Sequence, residues 1–326
     1  MTARSRRSVL RWAAGGLALP ALARRAFALD YPTRPVHLII GFAAGGPTDV
    51  AARVMAQWLS ARLGQPFVVE NRPGAASNIA ADYVVHAAAD GYTLLVLGAP
   101  AAINATLYGN LRFDVVRDIA PIAGIVRAAE VMVVNPSVPA HSVPEFIAYA
   151  KAHPGKVNMA AGGSGSVPDL AGRLFRSMAG VDLVTVGYRG GGPALVDLIA
   201  GQVQVMFEST LITAAQVKAG KLRALAVTSA TRSALLPELP TVGDFVPGYE
   251  ATAWYGIGAP KGTPPEIVER INREVNAGLA DPSVRKKLAD LGGTPMPMTS
   301  AEFGKLIVDE TDKWGKLIRK FNMKAE

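Results

Sequence analysis

A chain of 326 residues, half of them hydrophobic, is long enough to bury a sizeable core and to divide into two domains. It has no cysteine, which excludes disulfides, thiolate catalysis and cysteine-based zinc sites. The formal net charge is +8, but six of the 34 basic residues lie within residues 1–28, where there is no acid. The remainder carries 28 basic residues against 26 acidic ones and gives no ground for a nucleic-acid partner.

Residues 1–28 read as an export signal. Paired Arg6 and Arg7 precede an apolar stretch from Trp12 to Leu22, and Ala26-Phe27-Ala28 supplies the small-x-small pattern of a cleavage site after Ala28. Gly15, Gly16 and Pro20 break the apolar run, which is too short to span a bilayer. The run Arg6-Arg7-Ser8-Val9-Leu10-Arg11 resembles a twin-arginine signal, and Arg24 and Arg25 disfavour the general secretory route. A general secretory peptide with an extra arginine is the alternative. Either route takes the protein out of the cytoplasm, to a periplasmic location.

Beyond this leader, short β-rich runs alternate with helical ones. Val36–Ile40 reads as a buried strand, the turn from Ala43 to Pro47 follows, and Thr48–Leu63 has helical spacing. Phe67–Glu70 and Thr93–Leu97 are further strands, with a helix over Asn78–Ala88 between them. This is repeated β–α–β, which right-handed crossovers turn into a parallel sheet. A second block opens near Val131. Val131–Val134, Val157–Ala161, Leu183–Val186, Val203–Phe207 and Leu222–Val227 are its apolar runs. Ser142-Val143-Pro144-Glu145 is a capping box for a helix to Lys151, and Asp169–Met178 is helical. Leu236 to Pro247 reads as a proline-rich surface connector. The tail is helical, capped at Thr263 and again at Thr299, with Phe303, Ile307, Trp314 and Ile318 on one face.

Two glycine-rich turns lie between a predicted strand and a predicted helix. They are Gly41-Phe42-Ala43-Ala44-Gly45-Gly46-Pro47-Thr48 and Ala161-Gly162-Gly163-Ser164-Gly165-Ser166. Glycine lets backbone N–H groups converge, and a helix start adds free donors, so each turn can cradle a carboxylate or phosphate. The alternative is a tight turn needed only for packing. Neither turn is a Walker motif or a dinucleotide loop. The second misses a nucleophile elbow by one residue, because Ser166 stands where glycine is required. An exported hydrolase using Ser164 would also need a histidine base, and His37, His86, His141 and His153 are not placed for one; no two of them share a metal-ligand spacing. No catalytic residue, metal or cofactor is therefore expected. Asp49 reads as a stabiliser of its helix start. Arg189, in the turn Tyr188-Arg189-Gly190-Gly191-Gly192, could reach a ligand carboxylate, and Glu208 ends a predicted strand where open α/β sheets bind ligands.

These turns carry a resemblance. Gly41-Phe42-Ala43-Ala44-Gly45-Gly46 with Asp49, Ala52 and Arg53 resembles the first-loop signature of the tripartite tricarboxylate transporter receptors, the Bordetella uptake gene family. Glu70-Asn71-Arg72-Pro73-Gly74-Ala75, Asp90-Gly91-Tyr92-Thr93-Leu94-Leu95, Tyr188-Arg189-Gly190-Gly191 and Ala259-Pro260-Lys261-Gly262-Thr263-Pro264 continue it in order along the chain. The resemblance implies a two-lobed α/β periplasmic-binding fold, each lobe a mostly parallel sheet flanked by helices, joined by crossing strands. It places lobe one at residues 29–130 with 252–326 and lobe two at 131–251. It implies hinge closure over a small carboxylate ligand and, as partners, membrane permease subunits; a membrane signalling protein is the alternative partner. The candidate ligand contacts are Phe42, Ala43, Gly45, Gly46, Thr48, Ala99, Ser164, Gly165, Ser166, Asp169, Arg189 and Glu208. The sequence departs from the family pattern at Asp169, where histidine is usual, and at Glu208, where aspartate is common. These acids point to a ligand with an amine or amide opposite its carboxylate.

Overall fold

The buried runs that follow Val36 assemble, in a computed structural model, into one mixed sheet of ten strands among the described residues. Those residues are 30–163, 165–233, 236–291, 293–320 and 323–324. The export signal with its cleavage site, and Ser164, lie outside them.

The chain runs β1 (Val36–Ile40), α1 (Pro47–Leu63), β2 (Phe67–Asn71), α2 (Asn78–Val85), β3 (Thr93–Gly98), α3 (Ala99–Leu107) and α4 (Val115–Asp118). β1 lies between β2 and β3, parallel to both, as its unbroken apolar run requires of a strand covered on both faces. β4 (Ile119–Val134) follows, then α5 (Val143–Ala152), β5 (Val157–Ala161), α6 (Val167–Ala179), β6 (Leu183–Gly187), α7 (Gly191–Ile199), β7 (Val205–Ser209), α8 (Thr210–Lys218) and β8 (Arg223–Val227). β5 is parallel to both β6 and β7. The chain ends with β9 (Thr252–Pro260), α9 (Pro265–Ala280), α10 (Pro282–Asp290), β10 (Gly293–Pro295) and α11 (Ser300–Lys320).

β4 is the spine. Its first part pairs antiparallel with β9 and β10, and its last residues pair antiparallel with β7 and β8. The strand order β2-β1-β3-β9-β4-β7-β5-β6 therefore has two parallel groups held together by antiparallel strands. The change of partners falls at Glu130. Its carbonyl accepts from the amide and the hydroxyl of Thr228, both at 2.9 Å, and that hydroxyl also lies 2.5 Å from the carbonyl of Ala251. Three chain passages are thus pinned at one point between the two groups.

Each group has its own aromatic core. Phe175, Phe207 and Tyr249 pack ring to ring beside β7, with Phe146 on Phe175, while Trp254 stands edge-on to Phe303 where α11 covers β9. Several sequence expectations need correction. Ser142 caps α5 through the Glu145 amide, but the Glu145 carboxylate takes the amide of His141, so the capping box is incomplete. The N-cap of α9 is Pro264; the Thr263 hydroxyl instead donates to the Pro260 carbonyl. β4 begins twelve residues before the expected Val131, and α3, α10, β9 and β10 were not anticipated from the sequence.

Candidate functional site

At the carboxyl ends of the parallel strands, the chain turns directly into helices. α1 follows β1, α3 follows β3, α6 follows β5 and α7 follows β6, and the starts of all four meet at one small cavity. Pro47 and Thr48 come from α1, Pro100 from α3, Ser166 with Val167 and Pro168 from α6, and Gly191 from α7. First-turn N–H groups have no partner within their helix, and the dipole end is positive. Pro47, Pro100 and Pro168 have no N–H, so the donors are Thr48 of α1, Val167 of α6 and Gly191 of α7, and three such starts around one small space make an anion cradle. Phe42, Trp254 and Tyr255 supply apolar wall for a hydrocarbon body.

Local hydrogen bonds hold this geometry. Asn71 donates from Nδ2 both to the Phe42 carbonyl and to Asp49 Oδ1, each at 3.0 Å, which fixes the first loop against β2. Asp49 Oδ2 accepts from the Gly45 amide at 3.1 Å and from Arg53 Nε at 2.8 Å. Burial alone would raise the Asp49 carboxyl, but Arg53, the Gly45 amide and Asn71 together hold it below its ordinary value. In the second loop, Ser166 Oγ accepts from the Asp169 amide as the cap of α6. Asp169 Oδ2 accepts from the Gly165 amide at 2.8 Å, and Oδ1 accepts from Arg173 Nε at 2.7 Å.

The first loop touches the turn at residues 188–192 across the cleft. The Ala43 amide donates to the Arg189 carbonyl at 3.3 Å, and a Cβ on Gly192 would lie 2.7 Å from the Ala44 carbonyl oxygen. Gly165 packs on Asn104 of α3, where a Cβ would sit 2.9 Å from Oδ1.

Four of the sequence candidates, Phe42, Thr48, Ser166 and Glu208, line the central cavity. Ala43 instead bonds across the cleft, Gly45 serves Asp49, and Gly46 is the N-cap of α1. Ala99 is the buried first residue of α3, and Gly165 packs against Asn104. Asp169 is fully buried and engaged by Gly165 and Arg173, so its carboxylate stabilises its own helix start. Arg189 lines a separate cavity that shares Phe42 as a wall.

Glu208 reaches the cavity from the end of β7 with no exposed surface. Its Oε1 accepts from the Ser209 amide at 2.8 Å, and Oε2 has no hydrogen-bond partner among the described residues. Glu130 of β4 is equally buried, with neither carboxyl oxygen partnered among those residues. Burial pushes the Glu208 carboxyl up to about 8, opposed by the Ser209 amide. Burial, then the neighbouring Glu208, pushes Glu130 well above its ordinary value. Tyr255, also raised by burial and by these two acids, bonds Ser209.

Nothing in the residue pattern pointed to Glu130, Pro100, Trp254 or Tyr255. α3 opens without a polar cap, and Glu130 falls in a mainly apolar strand that also carries Arg127. An acid within such a run was the one signal that could have been used.

Comparison with known proteins agrees with this geometry. Residues 51–323 match the tripartite tricarboxylate transporter family receptor. BugT of Bordetella pertussis is 37% identical over 317 residues, covering 96% of each chain. Among solved structures, R. palustris Rpa4515 with adipate superposes with a TM-score of 0.87 at 36% identity, covering 90% of this chain and 99% of that one. MatC (Rpa3494) from Rhodopseudomonas palustris with bound malate gives 0.84 at 32% identity, covering 88% of this chain and all of the other. These neighbours are two-lobed periplasmic solute-binding receptors rather than enzymes.

Proposed function

The chain belongs to the tripartite tricarboxylate transporter receptor family, and from that premise we propose that it captures a small carboxylate-bearing solute between its lobes and delivers it to permease subunits in the membrane. The observation that carries this reading is the meeting of the starts of α1, α6 and α7, which offer the N–H groups of Thr48, Val167 and Gly191, on one small cavity with apolar walls. Two structural neighbours hold adipate and malate, which are small carboxylates.

The lobes are residues 29–130 with 252–326, and residues 131–251. The pinned passages at Glu130, Thr228 and Ala251 sit at both boundaries and form the hinge. Closure brings Ala43 against Arg189 and shuts the cleft over the ligand. The leader at residues 1–28 exports the chain and is cleaved after Ala28, which leaves the receptor in the periplasm.

A thermal-shift screen of the chain from Leu29 against mono-, di- and tricarboxylates tests this. Saturation at 100 times Kd stabilises the protein by about 2.7 kcal/mol. One carboxylate that raises the melting temperature without being turned over supports the reading. A flat response to every carboxylate, from protein that melts cooperatively, would sink it.

A further inference from the structure

The central cavity is lined by groups of opposite chemistry. Helix starts face it from α1, α6 and α7, and a carboxyl group faces it from β7, against the start of α7 at Gly191. Glu208 Oε2 has no described partner, and the backbone is shaped around it. A Cβ on Gly162 would lie 2.9 Å from that oxygen, and a Cβ on Gly191 would run into it. Behind Glu208 stands Glu130, also fully buried and also without a described partner. None of the described ion pairs includes either acid, and Arg189, the cation of the neighbouring loop, lines the separate cavity instead. The other titratable groups facing the pair are Tyr249 and Tyr255, whose hydroxyls are neutral and bring no positive charge.

We infer that Glu208, backed by Glu130, is a cation subsite, and that the ligand is a zwitterion with a primary ammonium group opposite its carboxylate. This deepens the carboxylate-receptor reading and rests on it. A buried carboxyl with no cation is costly in its ionised form, and a second one beside it adds like-charge repulsion. An ammonium brings one positive charge and an N–H donor to the unpartnered Oε2 of Glu208, the acid that lines the cavity. The N–H groups of Thr48 and Val167, at the starts of α1 and α6, are left to the ligand carboxylate. Glu208 touches the ammonium; Glu130 acts through Glu208 as a positioning residue and a second source of negative potential. Proton balance follows: as the ammonium binds, the proton held by the acid pair leaves to solvent.

The test is isothermal titration of the chain from Leu29 with matched pairs that differ only in the amine: glutamate with glutarate, and 4-aminobutyrate with butyrate. The expected result is that the better amine-bearing member binds at least about tenfold tighter than its partner. Titration in buffers of different ionisation enthalpy then reads proton release for that ligand. Glu208→Gln, nearly isosteric, should bring the ratio close to one while plain carboxylates still bind, and Glu130→Gln should lower it in part. The wild-type ratio needs no variant, so a misfolded variant leaves the test intact. Glutarate or butyrate binding as tightly as its amine-bearing partner would overturn the cation subsite and leave the carboxylate receptor standing. Folded protein that binds none of the four, and no other carboxylate, would overturn both.

Discussion

Asp49 and Asp169 hold the same station in two different helices. Each accepts from the amide of the glycine four residues earlier, Gly45 at 3.1 Å and Gly165 at 2.8 Å. Each also accepts from the arginine four residues later, Arg53 at 2.8 Å and Arg173 at 2.7 Å. Both glycines are left-handed, with φ of 78° and 75°, a conformation other residues adopt only with strain. The same clamp therefore shapes both loops of the cleft: a glycine turns the chain, and the aspartate ties that turn to the first two turns of the helix.

The two clamps differ in burial, and their removal should differ in cost. The Asp169–Arg173 pair is almost fully enclosed, with side-chain exposures of 0% and 9%, whereas Arg53 is about half exposed at 53%. Asp169→Ala leaves a buried guanidinium short of its partner and should cost about 3–5 kcal/mol. Asp49→Ala should cost about 1–3 kcal/mol. Urea unfolding of the two variants checks the order. The pH dependence has a definite sign at Asp49. Its folded pKa is lowered, so its contribution is present above the ordinary aspartate range and fades as pH falls through the folded value.

Glu208 should show the opposite sign. Its carboxyl is pushed up to about 8, so the folded protein holds a proton that the unfolded chain has already released. That stability is complete below the ordinary glutamate range and is lost as pH rises through about 8. Urea midpoints of the ligand-free protein should therefore fall between pH 5 and pH 8.5, and Glu208→Gln should flatten the fall. An unchanged slope in the variant would contradict the assignment.

Close approach at Gly191 gives a separate test. A Cβ there would meet Glu208 Oε2 and lie 3.0 Å from Ile212 Cδ1. Gly191→Ala should lower stability by about 1–3 kcal/mol and weaken ligand binding, since Glu208 would have to leave the cavity. Gly109, where a Cβ would meet nothing within 4 Å, is the control; Gly109→Ala should change neither melting temperature nor affinity.

Loss of the Ser166 cap should be milder. Its hydroxyl accepts from the Asp169 amide at the lip of the cavity, and Ser166→Ala should cost about 1 kcal/mol by thermal or urea unfolding.

Much of this was legible from residue order, for identifiable reasons. The strands at Val36–Ile40 and Val157–Ala161 are unbroken apolar runs, and the helices that follow open on glycine, serine or proline; both signals are local. β4 was half missed because Pro121 and the register shifts near Ala123 and Val126 disguise its beginning. α3 was missed because Ala99-Pro100-Ala101-Ala102 has neither a polar cap nor a clear apolar stripe. Within the site, Thr48 and Ser166 follow from the loop pattern. The charge of Asp169 misleads, because its partner Arg173 is one helical turn away and takes the carboxylate out of the cleft. The nearness of Glu130 to Glu208 arises only from the register of β4 on β7, where Glu130 stands opposite Ser209, and no local pattern encodes that.

A carboxylate held by the starts of α1, α6 and α7 is the core of the proposed function. The most direct measurement is calorimetric titration with the carboxylate that gives the largest thermal shift, alongside its primary amide, which has the same shape without the charge. The account predicts that the amide binds at least about a hundredfold more weakly, because each charge-assisted bond lost is worth about 1.5–3 kcal/mol. Equal affinity for acid and amide would contradict it.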